Sequence, residues 1–111
     1  MDLTKDLIAA SSTPFVLAII NKADNYGYAI IKIVKQLSDS NIQWTEGMLY
    51  PVLHRLEKQG YIECYWKSAE SGRKRKYYRI TKSGMSYLSE LKLQWDTVNN
   101  TLNKLWDNYR L

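Results

Sequence analysis

The stretch from Lys67 to Lys82 is the part of this sequence whose residue types and spacing could do chemistry. It holds seven Lys and Arg residues and one acidic residue, so it carries a charge of +6, and the rest of the chain carries −1 because the formal net charge is +5. Concentrated cations attract phosphate polyanions and release their counterions. The stretch therefore indicates either a nucleic-acid contact or a solvated loop, and charge alone favours neither.

The other reactive side chains form no catalytic or metal-binding pattern. His54 and Cys64 are the only residues of their types, and together they predict neither a disulfide nor a zinc site. Paired carboxylates at a suitable spacing, a nucleophile beside a base and a glycine-rich phosphate loop are missing from the sequence. We therefore expect no enzymatic activity, no metal and no cofactor. His54 is expected on an exposed helix face. Cys64 is expected in a strand as a buried, inert thiol, and the alternative, if the thiol is exposed, is an oxidation sensor.

Length and composition indicate one folded domain. The chain has 111 residues, of which 45% are hydrophobic and 24% charged, values typical of a globular domain. The longest apolar run, Phe15 to Ile20, is much shorter than the ~20 residues of a membrane-spanning helix. Asp2 and Asp6 do not fit the basic start of a signal peptide. We expect a cytoplasmic protein with no membrane partner.

Apolar periodicity predicts two helices in the first third of the chain. The first runs from about Thr4 to Lys22, with a kink or restart at Pro14. A turn is predicted at 24–27. The segment from Tyr28 to Leu37 is amphipathic and predicts the second helix, with Lys32 outside its apolar face.

A third helix is predicted after Thr45, whose hydroxyl can cap its first turn, and Gly60 ends it. Pro51 lies inside this helix, where the missing backbone donor costs about 3 kcal/mol and predicts a local distortion. The inner face carries Leu49, Val52, Leu53 and Leu56. The outer face carries Gly47, Tyr50, Pro51, His54 and Lys58.

Two alternating segments, 61–66 and 75–80, predict an antiparallel hairpin. The polar loop 67–74 joins them, with Gly72 at its turn. Trp66 and Tyr78 are expected in the hairpin core. The basic residues then lie at the tip and along the second strand.

A last helix is predicted from Thr81 nearly to Leu111. Its apolar residues alternate three and four positions apart and form a heptad seam, which consists of Leu88, Leu91, Trp95, Val98, Leu102, Leu105 and Tyr109. The seam could pack on the first helix of its own chain or on a second subunit. We favour a homodimer, because the helix is too long for so small a domain to cover, and we assign Trp106 to the same interface.

This order of elements predicts a winged helix-turn-helix, mainly α with a small antiparallel β-hairpin. Residues 1–82 would form the DNA-binding domain and residues 83–111 the dimerisation helix. The third helix would enter a major groove, and the hairpin, the wing, would reach phosphates or the minor groove. The candidate DNA contacts are Lys32, Thr45, Glu46, Met48, Tyr50, His54 and Lys58 on the helices, and Arg73, Lys74, Arg75 and Lys76 in the wing.

Two segments resemble the PadR family of bacterial transcriptional regulators: 45–62 (TEGMLYPVLHRLEKQGYI) and 72–84 (GRKRKYYRITKSG). Gly27 and Tyr28 resemble the family's Gly-Tyr pair. The resemblance spans about 14–88 and implies DNA contact by Tyr50 and by wing residues 73–76. Two positions depart from the pattern: Met48 stands where a small hydroxyl residue is common, and Ala29 replaces a frequent acidic residue.

The short C-terminal helix is similar to that of the family's smaller subgroup, which dimerises through it and includes multidrug sensors. In those members a tryptophan stacks flat aromatic compounds at the dimer centre, and Trp95 matches its position. The resemblance thus implies a ligand pore lined by Leu7, Ala10, Pro14, Ala18, Leu91, Trp95, Val98 and Asn99. The alternative is that Trp95 only fills the interface.

The expected function is a homodimeric repressor that binds an inverted repeat in duplex DNA and is released by a planar aromatic effector. The alternative is a constitutive dimeric DNA-binding protein with no effector. An RNA-binding role also suits the +6 stretch, but the heptad seam and the hairpin with Tyr77 and Tyr78 favour duplex DNA.

Overall fold

The computed structural model describes residues 1–107, which form four helices and three strands. In chain order these are α1 (Lys5–Lys22), β1 (Asn25–Tyr26), α2 (Gly27–Leu37), α3 (Glu46–Lys58), β2 (Ile62–Ser68), β3 (Lys74–Ile80) and α4 (Lys82–Asp107). The predicted winged-helix class is confirmed. Within these residues, no helix combines the length and apolarity needed to cross a membrane.

The first helix is continuous, and the predicted restart at Pro14 is wrong. Proline cannot donate to the carbonyl of Ala10, one turn earlier. The nearby hydroxyls satisfy neighbouring carbonyls, because Ser11 Oγ donates to the Leu7 carbonyl at 2.7 Å and Ser12 Oγ donates to the Ala9 carbonyl at 2.8 Å. Burial of the C-terminal half of α1 then holds the helix together.

One hydrophobic core joins the first three helices to the sheet. Its buried residues are Val16, Leu17, Ile20, Ile30, Val34, Ile42, Trp44, Leu49, Leu53, Leu56, Ile62 and Tyr78. Trp44, just before α3, is buried in this core, with its ring centre 5.9 Å from that of Phe15 in α1. The inner face predicted for α3 is correct, although Val52 is only partly buried.

The predicted turn at 24–27 contains a strand instead. Asn25 and Tyr26 form β1 and pair antiparallel with Tyr78 and Tyr77 of β3. The sheet therefore has three strands in the order β1-β3-β2. Strand β1 forms only because it pairs with β3, more than 50 residues later in the sequence. Local turn signals do not reveal such a pairing.

The wing is formed by β2 and β3, which pair with Cys64 opposite Tyr78 and Trp66 opposite Lys76. Gly72 has a φ of 81° at the predicted turn, a conformation that favours glycine. Tyr78 is buried as expected, but Trp66 is 65% exposed, so its assignment to the hairpin core is wrong. Burial decreases along β2 toward the tip because the strand extends beyond the helical core.

Hydroxyl caps fix where α3 and α4 begin. Thr45 Oγ1 accepts a hydrogen bond from the Met48 amide at 3.3 Å, as predicted, and α3 continues through Pro51 without a break. Thr81 Oγ1 accepts from the Gly84 amide at 3.1 Å and donates to the Gly60 carbonyl at 2.7 Å. The start of α4 is thus attached to the turn between α3 and β2.

Candidate nucleic-acid interface

The outer face of α3 is exposed from its first turn to its end. Thr45, Glu46 and Met48 lie exposed at the N-terminus, where a recognition helix makes its base contacts. Tyr50, His54 and Lys58 follow at intervals of four residues and are exposed as well. Intervals of four residues place these three side chains on one side of the helix. The α3 residues predicted to contact DNA are therefore available to a partner.

A groove of about 560 Å³ separates this side of α3 from the wing. It is lined by Tyr50, Pro51, His54, Arg55, Lys58, Lys76 and Tyr78. The groove thus brings together three predicted α3 contacts and one predicted wing contact. Two lysines, an arginine and two phenol hydroxyls supply hydrogen-bond donors for phosphate oxygens.

Lys76 is held at the edge of this groove. Its Nζ lies 3.8 Å from Glu57 Oε1 and 5.5 Å above the ring of Tyr78. Burial lowers the pKa of Lys76, but the charges of Tyr78 and Glu57 outweigh burial and leave the pKa above its ordinary value. The ammonium therefore stays protonated, and the ion pair joins the wing to α3.

Glu57 also controls the neighbouring thiol. The Glu57 carboxylate, followed by partial burial, raises the pKa of Cys64. A raised pKa keeps the sulfur in the less reactive thiol form. Cys64 is partly rather than fully buried, so the predicted burial is only partly correct.

The basic residues of β3 are divided between two faces of the sheet. Lys74 and Lys76 share the face of Tyr78 and point to the side of α3, because alternate residues of a strand lie on the same face. Arg75 and Arg79 lie on the opposite face, where Arg75 is 4.6 Å from the ring centre of Tyr26. Alternation along β3 already predicts two faces, but only the folded chain shows that the face with Lys76 lies toward α3.

A layer of tyrosines carries the cations on this second face. The rings of Tyr26, Tyr65 and Tyr77 lie side by side, with centroids 5.3 and 5.8 Å apart. Lys67 lies 5.2 Å from the ring centre of Tyr77, and Arg79 lies 5.1 Å from that of Tyr65. The Tyr65 hydroxyl donates to Asp24 at 2.6 Å, and this bond raises the pKa of the phenol. Cation–π contacts of this kind orient long basic side chains.

The two remaining predicted contacts lie at the edges of this surface. Arg73 is exposed in the loop between β2 and β3. Lys32 is exposed on α2, with its ammonium 5.5 Å from the ring centre of Tyr28. Neither residue lines the groove between α3 and the wing.

Tyr50 is positioned by a contact that sequence reasoning missed. Its hydroxyl would lie only 2.9 Å from a Cβ atom placed on Gly27, which is the first residue of α2. Glycine at this position therefore leaves the space that the phenol occupies. The sequence indicates Gly27 and Tyr28 only through the family resemblance, because no local pattern predicts that Gly27 contacts α3.

A second groove, of about 450 Å³, lies between α1 and α4. It is lined by Ser11, Pro14, Phe15, Ala18, Asn21, Lys22, Leu88, Lys92, Trp95 and Asn99. Of the predicted ligand residues, Pro14, Ala18, Trp95 and Asn99 meet here. Leu7, Ala10, Leu91 and Val98 do not line this groove of the single chain.

The heptad seam of α4 is covered at its start and exposed further along. Leu88 and Leu91 are partly buried and pack against the core, so this part contacts the same chain. From Val98 onward the seam is exposed, including Leu102 and Leu105. Trp106 is 72% exposed. Tyr109, also assigned to the seam, lies outside the described residues.

Comparisons with known proteins agree with this architecture. The model of the transcriptional regulator PadR-like family matches residues 16–90. An uncharacterized protein X of Lysinibacillus sphaericus is 39% identical over 98 residues, which cover 88% of this chain and 90% of that protein. The transcriptional regulator YqjI of Escherichia coli is 28% identical over 87 residues, which cover 78% of this chain and 40% of that regulator.

Solved structures share the fold over nearly the whole chain. A PadR-like transcriptional regulator from Bacillus cereus has a TM-score of 0.83 at 31% identity, covering 95% of this chain and 100% of that one. A transcriptional regulator from Clostridium thermocellum has a TM-score of 0.82 at 32% identity, covering 92% and 96% of the two chains. Since the matched residues include α2, α3 and the wing, the chain belongs to the PadR-like family of transcriptional regulators.

Proposed function

We propose that this chain is a homodimeric regulator that binds an inverted repeat in duplex DNA. Residues 1–82 bind DNA, and residues 83–111 join the subunits. The observation that carries this proposal is the groove between α3 and the wing, where Tyr50, His54, Lys58 and Lys76 meet. Helix α3 enters the major groove, and the wing cations contact the adjacent backbone.

The exposed half of the α4 seam supports the dimer. Val98 is 52% exposed, and Leu102, Leu105 and Trp106 are exposed on the same helix. A seam of this period packs against another helix with the same period. Two copies would present two α3 helices to successive major grooves, about 34 Å apart.

The groove beside Trp95 supports an effector site. It is lined by this indole, by Phe15 and by apolar parts of α1 and α4. The faces of indole rings attract planar and cationic aromatic compounds. In the dimer, two such grooves would meet near the centre and hold one flat compound.

The effector would act as an inducer of a repressor. A compound wedged between subunits changes the spacing of the two α3 helices only if it binds the two dimer states with different affinity. A nearly complete release from DNA requires several kcal/mol of this difference. Without such coupling, the chain would be a constitutive DNA-binding protein.

The proposed DNA binding is tested by mobility-shift titration of the wild type, Tyr50→Ala and Arg75→Ala. Both variants are expected to bind more weakly: Tyr50→Ala by about 1–3 kcal/mol, as for a base contact, and Arg75→Ala uniformly across sequences and with a smaller salt dependence, as for a phosphate contact. Lys104→Ala is the matched control, since it removes an exposed cation from α4, away from the wing. Unchanged affinity of both test variants would contradict the proposed docking.

The proposed effector site is tested by titrating the protein with planar aromatic cations and phenolic acids while the tryptophan fluorescence is recorded. Saturable quenching that disappears in Trp95→Ala, with loss of DNA binding at the same concentrations, is the expected result. Saturable quenching without any loss of DNA binding would favour the constitutive alternative.

A further inference from the structure

Trp66 is an exposed indole on the same side of the wing as α3. It pairs with Lys76 across the sheet, two residues beyond the pair of Cys64 and Tyr78. Paired residues of antiparallel strands lie on one face, so the indole shares the face of Lys76 and Tyr78, which border the α3 groove. The ring is 65% exposed. By contrast, the indole of Trp44 is buried in the core.

The surroundings of Trp66 are cationic. Lys76 lies directly across the sheet, and Lys74 follows on the same face opposite Ser68. Lys58 on α3 borders the same groove as Lys76. A large apolar ring beside cations suits a partner that offers both apolar surface and phosphates, because burial of the ring removes apolar area from water. The charge around it selects a polyanion.

We propose that Trp66 contacts duplex DNA beside the groove that α3 reads, packing its ring against deoxyribose and the wall of the minor groove. This inference rests on the proposed DNA-binding function and adds a contact of a different kind. The lysines neutralise phosphates, and their contribution falls as salt rises. The indole contributes apolar contact, as aromatic and aliphatic side chains do in minor grooves, and this contribution does not depend on counterion release.

Salt dependence separates the two kinds of contact. The probe is a mixed-sequence DNA duplex of about 30 base pairs, long enough for two half-sites one helical turn apart. Trp66→Ala is expected to bind about tenfold more weakly at every salt concentration, with the slope of log K against log salt unchanged. Lys74→Ala, on the same face, is the matched control and should reduce that slope by about 1.8, since a dimer loses two phosphate contacts of about 0.9 each.

Quenching by acrylamide gives a second readout that does not require the alanine variant to fold. In the wild type, the duplex should protect part of the tryptophan emission, and in Trp66→Phe this protected part should be absent. Phenylalanine keeps an aromatic ring at the position and so limits any effect on folding.

The outcomes distinguish this inference from the function on which it rests. If the wild type binds the duplex and Lys74→Ala changes the salt slope, but Trp66→Ala binds like the wild type, the inference alone is overturned. Equal protection in the wild type and in Trp66→Phe overturns it as well. If the wild type binds no duplex at low salt, the proposed function fails, and this contact fails with it.

Discussion

The contact between Gly27 and Tyr50 determines where a central side chain of the proposed DNA-binding surface lies. Gly27 begins α2, and Tyr50 comes from the middle of α3. The phenol fills the space in which any other residue would place its Cβ. One hydrogen atom in place of a methyl group thus decides how closely α2 and the Tyr50 ring approach each other.

Gly27→Ala is therefore expected to displace Tyr50 and to weaken DNA binding, because the phenol would no longer lie in the α3 groove. The atoms that a Cβ would meet belong to the exposed end of the Tyr50 ring, so the loss of stability should be at most about 1 kcal/mol, the lower end of the cost of overpacking in a core. The free energy of unfolding in urea and a mobility-shift titration measure the two effects.

Gly47→Ala is the control for the stability measurement. A Cβ atom on Gly47 meets only Thr45 Oγ1, at 3.8 Å, an ordinary contact. Since alanine favours a helix more than glycine does, this variant should be at least as stable as the wild type. Equal stability of Gly27→Ala and the wild type would show that Tyr50 adjusts without cost.

At the scale of elements, the start of α4 connects the wing to the rest of the fold. The Thr81 hydroxyl caps α4 and also bonds to the Gly60 carbonyl in the turn after α3. Gly84, on the first turn, lies against the Tyr61 carbonyl. The stacked rings of Tyr61 and Tyr87, with centroids 4.4 Å apart, extend this junction. These contacts attach the start of α4 to the turn between α3 and β2.

Thr81→Ala should lower the free energy of unfolding by about 1–2 kcal/mol, the usual effect of losing an N-cap. Thr97→Ala is the matched control, since Thr97 lies exposed in the middle of α4 and bonds only to the Leu93 carbonyl one turn earlier. Thermal and urea unfolding compare the two variants. A larger loss in Thr97→Ala would show that the cap does not stabilise α4.

At the scale of the whole molecule, α4 extends beyond the body of the fold. The described residues span 61 Å along their longest axis and 20 Å along their shortest. The first turns of α4 pack on the core, whereas the seam from Val98 onward is exposed in the single chain. A helix with so much exposed apolar surface gains stability when a second copy covers it.

Leu102→Lys is expected to convert the proposed dimer into a monomer, because it places a charge in the seam. Sedimentation at micromolar concentration measures the mass. The unfolding temperature of the wild type, but not of the variant, should rise with protein concentration. Asn100→Lys, at an exposed position on the side of α4 opposite the seam, is the control and should remain dimeric. A monomeric wild type would contradict the proposed dimer.

The features that the sequence by itself determined are local ones. The caps at Thr45 and Thr81 and the heptad period of α4 depend on residues a few positions apart, and so does the charge of the wing. Periodicity and capping therefore identified the elements, and the motifs identified the family.

Only the tertiary structure decided which residues meet. Strand β1 exists because Tyr26 pairs with Tyr77. The position of the Tyr50 phenol depends on the space beside Gly27. The exposure of Trp66 depends on where the core ends. The assembled sheet places the face that carries Lys76 toward α3 and the face that carries Arg75 beside Tyr26. These contacts join residues far apart in the chain, and their energies come from packing in the assembled fold, which local propensities do not encode.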